Sequence, residues 1–266
     1  MRTWIVSLLA VALVAMATAT PAHAKVRTKL VEYKDGDATL EGYLAWDDAA
    51  KGKRPGVLVV HAWMGLDANA RARAEMLAKL GYVAFAADIY GKGVRPKDRD
   101  EAAKQAGTYK ADRALLRRRV NAGLTALLAQ PKVDAARTAA IGYCFGGTTV
   151  LELARSGAAV SGVVSFHGGL DSPTPADGKN IRAKVLVLHG AADGFVAPAD
   201  KAAFEQELTT AKVDWQLVEY GGAVHCFTDR GAGGDPSKGC AYDAAADARS
   251  WAAMRAFFAE LFAKKP

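Results

Sequence analysis

The sequence predicts an α/β domain built on a mostly parallel, doubly wound sheet with helices on both faces. Three observations carry this expectation. Short apolar runs alternate along the chain with longer segments of helical periodicity. One run, Val57-Leu58-Val59-Val60, is apolar at consecutive positions, as a strand covered on both faces requires, and Lys184–Leu188 is nearly so. Finally, the stretch Thr138–Ile141 runs into Gly142-Tyr143-Cys144-Phe145-Gly146-Gly147 and then into a further apolar-periodic segment. Strand, tight turn and helix therefore follow one another without a linker.

The elements follow in order. Thr28–Tyr33 and Ala38–Trp46 read as edge-like strands around an Asp35-Gly36 turn. Gly56–His61 reads as a buried strand. A helix from about Asp67 or Asn69 to Leu80 stops at Gly81. Tyr82–Asp88 is the next strand, and Tyr90–Asp100, with Pro96 and several charges, a polar loop. The recurrence of Leu116, Val120, Leu124 and Leu127 predicts one long helix over about Tyr109–Ala129, ended by Pro131. Strand Thr138–Ile141 leads to the glycine-flanked cysteine, whose helix ends near Ser156-Gly157. Val160–Phe166 and Lys184–Leu188 read as strands on either side of the loop Asp171–Lys179. A helix at about Pro198–Thr209, a strand at Asp214–Tyr220 and a helix at about Ala246–Phe262 complete the chain. Trp251, Met254, Phe258 and Leu261 share one face of the last helix and read as core.

The first residues read as an export leader. Arg2 precedes the apolar run Trp4–Val14, and Ala22-His23-Ala24 is a small-x-small cleavage site. That run is too short for a membrane span. Residues 25–266 are then expected to form a single exported domain, periplasmic or secreted, acting as a monomer. The net charge is +7, from 35 basic and 28 acidic residues. No zinc-finger spacing, helix-turn-helix pattern or basic stripe interleaved with aromatics accompanies it, so nucleic acid is not an expected partner. Arg117-Arg118-Arg119 reads as a solvated helix face. Three cysteines in an exported chain leave at least one unpaired. The simplest allocation joins Cys226 to Cys240 and leaves Cys144 free.

Glycine, any residue, nucleophile, any residue, glycine, set between a strand and a helix, is the pattern of a nucleophile elbow, here with cysteine. The flanking glycines relieve crowding at a strained turn, and the helix behind it favours thiolate over thiol. Such a nucleophile needs a base, and the base needs an acid, in the chain order nucleophile, acid, histidine. His167 and His189 come too early. His225, in the loop after the last strand, is the expected base. Asp193, just after the penultimate strand, is the expected acid, with Asp171 second. The oxyanion donors are expected to be the backbone N–H groups of Phe145 and Trp63. Met64, Tyr90 and Phe195 join Trp63 as candidate lining of an apolar substrate pocket.

Taken together, His61-Ala62-Trp63-Met64-Gly65-Leu66, Ala87-Asp88-Ile89-Tyr90-Gly91, the cysteine run, Leu188-His189-Gly190-Ala191-Ala192-Asp193 and Ala223-Val224-His225-Cys226-Phe227 resemble the dienelactone hydrolase family over nearly all of residues 25–266. The resemblance implies an α/β-hydrolase fold, no metal or organic cofactor, and a Cys-His-Asp triad at Cys144, His225 and Asp193 acting on small ester or lactone substrates. The chain departs from the best-known members in three places. Ala62 stands where they carry an active-site glutamate. Their two substrate-carboxylate arginines are matched only by Lys92 and by Asp229 with Arg230 beside it. Two rival expectations follow from these departures and from the odd thiol. One is a non-catalytic ligand-binding protein on a hydrolase scaffold. The other is a thiol redox protein using Cys144 with Cys226.

Overall fold

The computed structural model describes residues 25–263. The expected export leader, residues 1–24, lies outside them. Eight strands form one sheet: β1 (Val26–Asp35), β2 (Ala38–Asp47), β3 (Arg54–Val60), β4 (Val83–Ala87), β5 (Val133–Tyr143), β6 (Gly162–Phe166), β7 (Lys184–Gly190) and β8 (Trp215–Tyr220). Their order across the sheet is β1-β2-β4-β3-β5-β6-β7-β8. β1 pairs antiparallel with β2, and β2 antiparallel with β4. From β4 through β3 to β8 every pairing is parallel. β2 is thus an interior strand rather than an edge. Its tyrosine-to-alanine stretch, Tyr43–Ala45, pairs with Ala86–Ala84 of β4.

Six α-helices among the described residues cover the sheet: α1 (Ala68–Lys79), α2 (Arg99–Ala111), α3 (Arg113–Leu128), α4 (Phe145–Arg155), α5 (Pro198–Thr210) and α6 (Ala244–Leu261). Successive strand residues face opposite sides, so each strand feeds two cores. Leu58 and Val60 share one core with Leu116, Val120 and Val150, which extends to Phe204 and Leu208 of α5. Val57 and Val59 belong to the core on the other face, with Leu77 of α1, which extends to Met254 and Phe258 of α6. On α6, Met254 and Phe258 are fully buried, while Trp251 and Leu261 close the edge of that core.

The predicted long helix is α3, with its first residues belonging to the end of a separate helix, α2. Asp112 departs from helical geometry (φ −114°, ψ 84°), and its carboxylate accepts the Leu115 N–H, capping α3 where α2 ends. Most of the predicted loop before it is a loop, but α2 begins at Arg99 with Asp98 as its cap, and Asp98 accepts the Glu101 N–H at 2.9 Å. The buried residues of α2 are only Ala102, Ala106 and Tyr109. A stripe made largely of alanine carries little hydrophobic periodicity.

The arginine triplet is not a uniformly solvated face. Arg117 binds Glu152 at 2.8 Å and Asp177 at 2.7 Å, Arg119 lies 3.5 Å from Asp35, and only Arg118 is exposed. Glu152 belongs to a buried network at the far end of α4. There Arg155 reaches Glu152 at 3.0 Å and Glu207 of α5 at 2.7 Å. This network ties α3, α4 and α5 together. Removing one member would leave a buried charge unpaired, which generally costs several kcal/mol.

Candidate active site

Cys144 sits between the end of β5 and the start of α4 with φ 53° and ψ −114°, a conformation rare for any residue with a side chain. Close approach explains the glycines around it. A Cβ on Gly142 would lie 2.0 Å from the Gly146 carbonyl oxygen, and one on Gly146 would lie 2.3 Å from that of Val60. With side chains at either position, α4 could not start so near the sheet.

The structure brings Cys144, His225 and Asp193 into one chain of contacts. His225 Nε2 lies 3.1 Å from Cys144 Sγ, and His225 Nδ1 lies 2.8 Å from Asp193 Oδ2. The other carboxylate oxygen, Oδ1, accepts the Phe195 N–H at 2.9 Å. Burial opposes the Cys144 thiolate, but the charge and hydrogen bond of His225 and the Phe145 N–H outweigh it and lower the thiol pKa. Burial likewise opposes the His225 imidazolium. The adjacent thiolate and Asp193 overcome it and push that pKa up to about 10. The two shifts describe one ion pair, thiolate with imidazolium. A free thiol with a pKa near 8.5 is only about 1% ionised at pH 6.5. Because the Cys144 pKa is lowered, its thiolate persists as pH falls past the point where a free thiol protonates. Iodoacetamide is therefore expected to alkylate Cys144 at pH 6.5 at a clearly larger fraction of its pH 9 rate than it does a free thiol. A profile rising like that of a free thiol would remove the ion pair.

Asp171, the second choice of acid, is bound instead by Arg113 at 2.5 Å. His167 and His189 both lie beside these three residues. The His167 ring packs edge-on to His225 at 5.2 Å, and its Nε2 meets Thr228 Oγ1 at 2.8 Å. Burial lowers the pKa of both rings, the charge of His225 adds to it in each, and the shift is larger for His167. Cys226 and Cys240 are joined as a disulfide and Cys144 is free, so the Cys144–Cys226 pairing of the redox reading is not the one formed. The bridged loop is anchored directly at the histidine, because the His225 carbonyl accepts the Ala241 N–H at 3.0 Å.

A cleft of about 150 Å³ opens over Cys144, with Trp63, Phe145, Thr148, Phe195 and His225 in its walls. Phe195 is 62% exposed and stands edge-on to His225 at 5.3 Å. Two expected lining residues are elsewhere. Met64 is not among the cleft walls. Tyr90 is buried behind them, where its hydroxyl donates to the Trp63 carbonyl at 2.9 Å and its ring packs on Phe145 at 5.4 Å. Tyr90 holds the wall rather than lining it.

The cleft also contains a cation that pattern reading missed. Lys110 of α2 reaches into it and makes no ion pair among the described residues. Lys92 is instead bonded to Glu32, and Arg230 stacks over Tyr242 at 5.6 Å. Neither lines the cleft. Ala106 lines it one helical turn before Lys110. No group of three or more His, Cys, Asp or Glu residues among the described residues has the arrangement of a metal site. No helix among them is long and apolar enough to cross a membrane.

The family model for dienelactone hydrolases, described as "Dienelactone hydrolase family", matches residues 40–262. The chain belongs to the dienelactone hydrolase family. This places it among ester and lactone hydrolases, on the α/β-hydrolase fold. A Synechocystis protein named for carboxymethylenebutenolidase activity is 28% identical over 249 residues, 88% of this chain and 96% of its own length. Two solved structures are 45% identical, each covering 90% of this chain and 99% of their own. One is m3DLH, with a TM-score of 0.87. The other, with a TM-score of 0.86, is P91, described as a dienelactone hydrolase-like promiscuous phosphotriesterase from metagenomic libraries.

Proposed function

We propose that this hydrolase cleaves small activated esters and lactones through a covalent thioester on Cys144. The observation that carries this reading is the unbroken Cys144–His225–Asp193 chain at the strained turn, opening on the cleft. The thiolate attacks the carbonyl carbon. The N–H groups of Phe145 and Trp63 receive the developing oxyanion, a contribution worth about 10²–10³-fold per donor. The His225 imidazolium then gives its proton to the leaving alkoxide, and the acyl group remains on sulfur. Neutral His225 takes a proton from water, the hydroxide attacks the thioester, and collapse returns thiolate and imidazolium. Asp193 keeps the ring in the required tautomer throughout.

Ala62 supports a short route to this state. It stands where well-known family members carry a glutamate, and its methyl group cannot compete with Cys144 for the histidine. The thiolate can pair with His225 before any substrate arrives. The disulfide, together with the leader expected at residues 1–24, supports action outside the cytoplasm, where disulfides persist.

Lys110 supports a preference for acyl groups that carry a carboxylate, in place of the family's arginines. A charge-assisted contact is worth about 1.5–3 kcal/mol, so the selectivity at stake is roughly tenfold or more. Lys110→Met is expected to lower kcat/KM for mono-p-nitrophenyl succinate, relative to p-nitrophenyl acetate, by about tenfold. An unchanged ratio would remove Lys110 from recognition. A neutral phosphotriester is the second substrate to try, on the strength of the P91 likeness.

The reading is tested by pre-steady-state turnover of aryl esters and small lactones by the mature protein. A stoichiometric burst followed by steady turnover supports it. Ligand binding without acylation of a confirmed free thiol would favour the non-catalytic scaffold.

A further inference from the structure

His61 follows β3 and is fully buried, and nothing in the mechanism above uses it. Each of its ring nitrogens has a single partner. Nε2 lies 3.2 Å from the Ile89 backbone nitrogen, whose N–H can only donate. Nε2 is therefore the unprotonated acceptor. The ring proton sits on Nδ1, which donates to the Ala62 carbonyl at 2.6 Å. Burial holds the ring below its ordinary pKa, so this neutral tautomer persists. The ring is packed edge-on to Tyr90 at 4.8 Å and lies against Phe145 at 5.9 Å.

The Ala62 carbonyl has a second donor. The Gly65 N–H reaches it at 3.1 Å and closes a tight turn, with Gly65 in the left-handed region at φ +83°. Both acceptor positions of that oxygen are thus taken. In a trans peptide the carbonyl and the following N–H point in opposite directions, and the described residues contain no cis peptide. Fixing the Ala62 oxygen from the interior therefore fixes the Trp63 N–H on the opposite side. That N–H donates to no backbone acceptor among the described residues, and Trp63 lines the cleft over Cys144. The next peptide is held as well. Tyr90 Oη donates to the Trp63 carbonyl at 2.9 Å, and Tyr109 Oη donates to the Tyr90 carbonyl at 3.0 Å.

We infer that His61 is a positioning residue for the oxyanion site, its Nδ1–H holding the Ala62–Trp63 amide so that the Trp63 N–H is presented to substrate oxygen as charge develops there. The inference rests on the hydrolytic reading of the cleft and names the group that preorganises one of its two donors. A preorganised donor is effective because it does not have to reorient during the reaction. His61 touches neither substrate nor sulfur in this role.

Two probes separate this role from simple packing. A trifluoromethyl ketone adds to a thiolate and places an oxyanion in the same site. Iodoacetamide alkylates the thiolate with no oxyanion. His61→Leu removes the donor, while His61→Asn returns an amide N–H close to the place of Nδ1. His61→Leu is expected to weaken binding of trifluoroacetone, read by fluorine NMR, by about 30–100-fold. Alkylation of Cys144 is expected to stay within about threefold of wild type, because it needs no such donor. His61→Asn is expected to recover most of the lost affinity. Equal losses in ketone binding and alkylation would mean that His61 only packs the site, and no loss in either would mean that it does not position the amide. Both outcomes overturn the inference, as does a wild type that fails to bind the ketone. A wild type that binds the ketone in a His61-dependent way yet turns over no ester would sink the hydrolase reading and leave the role of His61 standing.

Discussion

Cys144→Ala is expected to eliminate both the burst and the turnover of p-nitrophenyl acetate. The loss in kcat/KM should be at least about 10⁴-fold, since a triad nucleophile acts as part of a unit. The comparison is a fair one, because alanine keeps a Cβ at φ 53° and so keeps the backbone strain of the turn. Removing sulfur also removes the partner of the His225 imidazolium. Its pKa, held near 10 largely by the adjacent thiolate against the opposing effect of burial, should fall toward the ordinary histidine range. NMR titration of His225 in the variant reads this directly. Turnover surviving above one part in a hundred would falsify Cys144 as the nucleophile. An intact burst in Cys144→Ala would point to another group on the cleft wall.

Gly146→Ala is expected to be one of the most damaging single methyl additions among the described residues. The added carbon would meet the Val60 and His61 carbonyl oxygens at 2.3 and 2.6 Å. Both are backbone atoms at the end of a central strand, so neither can rotate away. The start of α4 must then lift from β3, carrying the Phe145 N–H and Cys144 with it. Overpacking against a backbone should cost more than about 3 kcal/mol, or roughly 6–12 °C in Tm for a domain of this size. Thermal unfolding followed by circular dichroism, with aryl-ester turnover alongside, measures both effects. Gly107→Ala is the matched control. Gly107 lies inside α2 with open space at its Cβ position, so alanine there is expected to stabilise by about 0.5–1 kcal/mol. A Gly146→Ala protein melting within 2 °C of wild type would show that the elbow tolerates a side chain.

These two substitutions also mark how far local pattern reaches. The elbow was legible because its pattern is local. Strand, glycine, cysteine, glycine and helix follow within a few residues, and Gly142 is required by Gly146 four residues on, although Gly146 itself is required by the distant end of β3. Asp193 and His225 were legible in a different way. Each follows a recognisable strand end, and parallel strands deliver all their C-terminal ends to one edge of the sheet. The chain order therefore carries spatial information, and the structure places the two side chains 2.8 Å apart.

What escaped the sequence had no local signature. α2 was hidden because it buries alanines, whose methyl groups mark no strong face, and because Asp112 ends one helix while capping the next. With α2 unseen, Lys110 had no place in the cleft. Tyr90 carried the right residue type for a pocket wall, yet its hydroxyl found the Trp63 carbonyl and turned it into a brace. His61 carried no chemical motif of its own. Its significance depends on the Ile89 N–H, 28 residues away, which decides the ring nitrogen that keeps the proton.

The sequence by itself determined the layering of the domain, the strained turn and the cysteine that stands in it. The layering follows from side-chain periodicity, and the turn from a glycine pattern whose first member is crowded by a neighbour four residues on. Only the tertiary structure decided which cation faces the cleft, which aromatic braces it, and which way the Ala62–Trp63 amide points. Each of these depends on a hydrogen bond or approach between distant segments, and it exists only once the sheet has brought the ends of β3, β4 and β5 together.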